Sequence, residues 1–215
     1  MIGEKSPIIL KLLNGRWLYN NHTTKVHIML PIKNGTFDNL KRVKYTPNSR
    51  TALPTGVSAK TLVGGSEQVT LTFVNTQVPL TDAGASGAGG GLRIYGFQQG
   101  NVAIDNFRVN LTTARLGTNL TTTAALVASL GTVAAAADAT LTSTEADIAS
   151  STTATLTAGA GTFTKVATAA VYLDGTGTAK DVYLNFACPD AGSAGNDSVV
   201  VNGTITFVYS NTAVV

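Results

Sequence analysis

The sequence predicts an all-β protein: a two-sheet antiparallel sandwich with a short helical insertion and an extended N-terminal arm. Three observations carry this expectation. Near the C-terminal end, Val199, Val201, Ile205, Phe207 and Tyr209 share one parity while Asn202, Thr204, Thr206 and Ser210 take the other, the signature of a strand with one buried face. The composition is 44% apolar but only 13% charged, and much of the remainder is threonine, serine, alanine, glycine and asparagine. Threonine and valine favour strands, while glycine and asparagine serve tight turns. Turn signals recur between short apolar runs, so that about eight strands fall within residues 62–210, close to the number in a two-sheet sandwich.

In chain order, residues 1–60 read as an arm. Short β-like runs at Arg16 to Tyr19 and Lys25 to Leu30 are punctuated by Asn14-Gly15 and Asn34-Gly35, pairs that favour hairpin turns. Pro47, Ser49, Pro54 and Gly56 mark a hinge over residues 47–58. From Glu67, Val69, Leu71 and Phe73 alternate with Thr70 and Thr72, and Pro79 is expected to end the run. "DAGASGAGGG" reads as a loop too rich in glycine for regular structure. It lacks the Lys-Ser/Thr of a phosphate cradle and opens a strand, "LRIYGF", where such a cradle opens a helix. Residues 101–113 form a strand whose apolar parity changes between Ile104 and Phe107, which predicts a bulge or a bend between sheets.

Residues 121–149 are the one stretch that reads as helical. A first short helix is expected over Ala124 to Leu130, ended by Gly131; a second opens at Thr142, with Glu145 at capping-box spacing. "TATLTAGAGTFT" predicts a hairpin closed at Gly159 and Gly161, and "VYLDGTGTAKDVYLNF" another turned at Asp174-Gly175. Val182, Leu184 and Phe186 oppose Asp181, Tyr183 and Asn185 as a half-buried strand. The loop from there to the last strand suits a hairpin or a longer connection across the sandwich.

The net charge of +3 hides a split. Residues 1–60 hold ten basic and two acidic groups, +8, and residues 61–215 hold five basic and ten acidic, −5. A basic arm on an acidic body is suited to another copy's body, an acidic neighbour or packaged nucleic acid; its charges are too scattered to favour nucleic acid. One cysteine excludes an intramolecular disulfide framework, and Cys188 reads as a small buried filler. "PIILKLL" is too short to span a bilayer, and no secretory signal is evident.

The phrases "YLDGTGTAKDVYLNFACPDA" and "NDSVVVNGTITFVY", preceded by "TSTEADIASSTTATL", resemble small structural proteins of tailed bacteriophages, encoded near the major capsid protein and described as head decoration, cement or minor capsid proteins. The resemblance covers roughly residues 100–210. It implies a jelly-roll-like body, a homotrimer displayed on the outer capsid surface and bound to the major capsid protein, assembled in the host cytoplasm, with no cofactor. Its recurring phrases place structural roles on Thr142, Glu145, Asp147, Tyr172, Asp174, Gly175, Lys180, Asp181, Tyr183, Asn185 and Asp197. Residues 1–60 would then be the arm and 61–215 the body, with no further domain such as a receptor-binding tip expected after "SNTAVV". Arg16, Trp17, Tyr19, Lys25, Lys33, Lys41, Arg42, Lys44 and Tyr45 are the candidate capsid or subunit contacts. Thr142 and Glu145 form the cap, and Asp174 and Gly175 a turn.

Motifs for chemistry are weak. His22 and His27 have opposite strand parity and no nearby carboxylate pair, which argues for surface or interface histidines over zinc. His-Glu-x-x-His, Gly-x-Ser-x-Gly and closely spaced cysteine pairs are absent. Asp174, Asp181, Asp190 and Asp197 fall in C-terminal loops, but without a twelve-residue calcium loop they read as turn caps. Six Asn-x-Ser/Thr sequons follow from the abundance of threonine. The expectation is a structural protein, not an enzyme. The alternative is a tail, head-fibre or vertex component whose sandwich binds a host receptor or glycan. A glycan site needs exposed aromatics beside polar groups, and the loops are poor in aromatics.

Overall fold

A computed structural model describes residues 49–63 and 66–213, together with strand segments 11–13, 16–19, 27–28 and 42–44. The chain divides into two compact units, Met1–Leu40 and Lys41–Val215. In the first, β1 (Lys11–Leu13), β2 (Arg16–Tyr19) and β3 (His27–Ile28) form an antiparallel sheet. Leu13 lies opposite Arg16.

The second unit holds β4 (Arg42–Lys44), β5 (Val57–Val63), β6 (Glu67–Asp82), β7 (Ala88–Gly96), β8 (Gly100–Arg115), β9 (Val127–Gly131), β10 (Ala149–Thr153), β11 (Ala160–Val166), β12 (Val171–Gly175), β13 (Asp181–Cys188) and β14 (Asp197–Ala213). Single 3-10 turns sit at Gly84–Ser86, Ser143–Glu145 and Asp190–Gly192. One layer runs β4, β5, β6, β14, β8, with β11 and β12 both paired to the far edge of β8; the other runs β7, β13, β9, β10. β6 joins the layers: most of its length pairs with β14, then Thr81 and Asp82 pair with Gly89 and Ala88 of β7. The sheet thus turns a corner and nearly closes into an antiparallel barrel. At the remaining seam, Lys165 Nζ on β11 donates to Thr152 Oγ1 on β10 over 3.0 Å.

The core between the layers is aromatic and aliphatic, with Phe73, Phe97, Phe163, Phe186, Phe207, Leu71, Ile94 and Ile104 fully buried. Val199, Val201, Ile205, Phe207 and Tyr209 all face it, as their parity predicts. The parity change in β8 is a bulge: Val208 lies opposite Asn106 and Tyr209 opposite Ile104, leaving Asp105 as the extra residue. It falls where β8 changes partner from β12 to β11. β6 carries a second irregularity at Asn75, φ 48°, where burial shifts from Phe73 to Thr76.

Several expectations are corrected. Residues 127–131 are the strand β9, not the end of a helix over Ala124 to Leu130. The alanines and leucines there favour helix locally, but a place between β13 and β10 fills both edges with ladder bonds. The helical insertion shrinks to the single turn Ser143–Glu145. The two expected hairpins are crossings between layers: β11 and β12 pair with β8, while β10 pairs with β9 and β13 with β7 and β9. Asp174-Gly175 therefore ends β12 instead of turning a hairpin, although the tight turn at Gly159 persists as a Thr157–Ala160 bridge. Pro79 does not stop β6, because at that point the strand pairs only with Ser198 of β14 and needs no N–H on its other edge. The loop expected at Gly89, Gly90 and Gly91 is strand, because residues 134–138 occupy the space that side chains on Gly89 and Gly91 would take. Residues 42–44 and 57–60, read as arm, belong to strands of the second unit's sheet.

Candidate functional site

The first distinctive feature is a strap of chain laid over β7. Gly87, Gly89 and Gly91 share one parity, and a Cβ on Gly89 would lie 2.0 Å from the Ala136 carbonyl, while one on Gly91 would lie 3.0 Å from the Ala135 nitrogen. Only glycine lets residues 134–139 rest directly on the strand. Side chains fasten this strap. Asn185, expected on the polar face of its strand, is fully buried: Nδ2 donates to the Val133 and Glu145 carbonyls at 2.9 and 2.8 Å, and Oδ1 accepts from Ala135 N at 3.0 Å. Glu145 accepts from Ala136 N and, closing the capping box, from Thr142 N, both at 2.9 Å. Asp147 holds the Thr132 N–H and hydroxyl.

Other loops are secured in the same way. Asp197 accepts from Gly117 N at 2.7 Å, Leu120 N at 3.0 Å and Ser198 N at 2.7 Å. Partial burial would raise its pKa, but these backbone donors outweigh it and hold the carboxyl below the usual range. Asp174 caps its own turn by accepting from the Thr176 hydroxyl and N–H at 2.6 and 3.0 Å. Residues of the expected hinge are clasped to the body: Arg50 N donates to Gly96 O, Nε to Phe97 O, and the guanidinium meets Asp181 at 2.6 Å. Inside, Tyr209 donates its hydroxyl proton to Glu67 at 2.9 Å, so Tyr95, 3.0 Å away, donates to Tyr209. Burial pushes the Tyr95 hydroxyl up to about 12 and Tyr209 further, the neighbouring Tyr95 and Glu67 adding to the latter. Burial also pushes the Cys188 thiol up to about 11, as befits an inert filler.

The outer face of the larger layer is a field of hydroxyls and amides. Ser58, Thr72, Thr204, Asn110 and Thr164 stand in one row across β5, β6, β14, β8 and β11. Lys60, Thr70, Thr206, Arg108 and Val166 form the next, with the Thr70 and Thr206 hydroxyls 3.1 Å apart. Ala114, Ala160 and Val200 floor a shallow groove at one end, flanked by Thr112, Thr162 and Asn202. Toward the other end lie the row Tyr172, Ala103, Ser210 and the row Asp174, Asn101, Thr212.

Thr142 and Glu145 thus sit together at a cap, and Asp174 and Gly175 at the end of β12. Of the candidate contacts, Arg16, Trp17 and Tyr19 lie in β2 and Arg42 and Lys44 in β4; their side chains, and Lys25, Lys33, Lys41 and Tyr45 altogether, are outside the described residues. Period-2 alternation sends Asn185 outward and hides its fastening contacts; for Asn185 and Tyr172 the resemblance implies a structural role but no particular contact. Among the described residues, no three His, Cys, Asp or Glu side chains gather as a metal site would require, and no helix is long and apolar enough to cross a membrane. No protein-family model matches the chain, and no curated protein matches it in sequence.

Proposed function

We propose that this chain is a non-enzymatic virion structural protein, a decoration or cement protein that binds the outer surface of a phage capsid through the major capsid protein and stabilises it. The observation that carries the reading is the resemblance across residues 100–210, whose phrases fall on β10, β12, β13 and β14 and on the 3-10 turns at Ser143–Glu145 and Asp190–Gly192. The use of polar groups supports it. Asn185, Glu145, Asp147 and Asp197 hold loops to the body and Asp174 caps its own turn, an arrangement suited to a rigid unit mounted many times on a shell. In this reading the body is jelly-roll-like, the protein is a homotrimer, and the basic N-terminal segment engages neighbouring protein, its charge complementing acidic surface.

Mass spectrometry of purified particles tests the assignment. The chain is expected at a copy number equal to that of the capsid protein or a simple fraction of it; a handful of copies per particle would move it to a vertex or tail. Analytical ultracentrifugation tests the trimer, and a purely monomeric protein at micromolar concentration would refute intrinsic trimerisation. Deleting residues 1–40 is expected to leave a folded body that binds capsids weakly, and undiminished binding would remove the N-terminal segment from the attachment.

A further inference from the structure

We propose that the outer face around Tyr172 is a binding site for a neutral polysaccharide. Tyr172 is 79% exposed, the most exposed of the large hydrophobic side chains described. It stands on β12, which pairs with β8 along one edge and with no other strand among the described residues. Across the sheet its row continues through Ala103 and Ser210. Both are small, so the sheet beside Tyr172 is a low floor two strand spacings, about 10 Å, across. One row along, about 7 Å away, stand Asp174, Asn101 and Thr212.

These groups supply what a sugar ring requires. The C–H face of a pyranose packs on an aromatic ring, and its hydroxyls need acceptors and donors set beside that ring. Thr176 occupies only one oxygen of Asp174, leaving Oδ2 to accept from sugar hydroxyls. The bonds from Thr176, aided by the nearby Lys180, hold the Asp174 carboxyl below the usual range, so it is an ionised acceptor at neutral pH. Asn101 is exposed and offers an amide donor and acceptor, while Ser210 and Thr212 add hydroxyls. Near Tyr172, Asp174 on the same strand and the exposed Asp105 in the β8 bulge outnumber Lys180, which disfavours an anionic chain and favours an uncharged sugar polymer. Beyond the bulge, past the row that holds Lys60 and Arg108, the row Ser58, Thr72, Thr204, Asn110 and Thr164 offers hydroxyls and an amide for further sugar units.

The test is affinity electrophoresis of the full-length protein in native gels cast with dextran, mannan, galactomannan or arabinogalactan, with alginate as the acidic comparison. Retardation by at least one neutral polymer and not by alginate is expected. Tyr172→Ala should weaken that retardation about tenfold, the scale of one aromatic contact, while Tyr172→Trp keeps it; the thermal midpoint of both variants should match the parent because the side chain is exposed. Absence of retardation by every neutral polymer, or retardation indifferent to Tyr172→Ala, overturns the proposal. So does a sedimentation shift to smaller species in Tyr172→Ala without a change in polysaccharide binding, which would assign the open β12 edge to a second copy. Capsid attachment does not enter any of these readouts.

Discussion

Replacing Asn185 with alanine removes three hydrogen bonds at once from a fully buried position: two donated to the Val133 and Glu145 carbonyls and one accepted from Ala135 N. Each such bond contributes roughly 0.5–1.5 kcal/mol net, and a buried partner left unsatisfied adds about 1–3 kcal/mol unless water reaches it. The strap is at the surface and can open to hydrate its own backbone, so a loss of about 3 kcal/mol is expected, not the full sum. That is a large fraction of the roughly 5–15 kcal/mol that holds a typical domain together. It corresponds to a midpoint about 6–12 °C lower for a body of this size. Urea unfolding followed by far-UV circular dichroism measures the change, with the m-value unaltered if the fold persists. Asn185→Asp keeps the size but sets a carboxylate against two carbonyls, and should cost at least as much as alanine. Hydrogen exchange at Ala135 and Ala136 should accelerate in both variants before global unfolding. A loss under about 1 kcal/mol in Asn185→Ala, with exchange in the strap unchanged, would refute the view that this side chain fastens it.

Three further outcomes follow from the same geometry. Gly89→Ala should cost several kcal/mol or prevent folding, because its Cβ would meet the Ala136 carbonyl at 2.0 Å, whereas Gly177→Ala, with nothing within 4 Å, should stay within about 0.5 kcal/mol; equal effects in a denaturation series would contradict the strap packing. Asp197→Ala should lose about 2 kcal/mol with the three backbone bonds. Because its folded pKa is depressed, the stability it contributes is present above about pH 4 and is lost as pH falls through the lower folded value, so unfolding curves of parent and variant should converge in acid. In the unfolded chain Tyr95 and Tyr209 ionise near pH 10, and in the fold Tyr95 does so only at about 12. Their contribution is complete below pH 10 and declines above it by roughly 1.4 kcal/mol per pH unit for each tyrosine; Tyr209→Phe should flatten that decline, and identical slopes in alkaline urea titrations would reject the raised values.

The all-β class, the buried parity of the last strand, the bulge near Asp105 and the Glu145 cap are legible in the sequence. Each of these is a local pattern: alternation of period two, a break in that alternation, or a residue three positions from its cap, readable because the chain's own geometry sets which face a side chain takes. Strand pairing follows from long-range contacts. Nothing in "VYLDGTGTAKDVYLNF" distinguishes a hairpin from two strands in opposite layers, since either arrangement buries the same alternating residues, and the choice falls to contacts with β7, β8 and β9 more than fifty residues away in sequence in most cases. Gly89 and Gly91 looked like a loop because glycine weakens a strand locally; they are strand because another segment needs the space their missing side chains leave. Asn185 is polar and therefore reads as outward, yet the fold brings two carbonyls and an N–H to it from the strap, and burial becomes favourable once those partners are in place. Tyr172 is the converse: an aromatic that local alternation places on a face, and which remains exposed because β12 ends the sheet with no strand beyond it among the described residues.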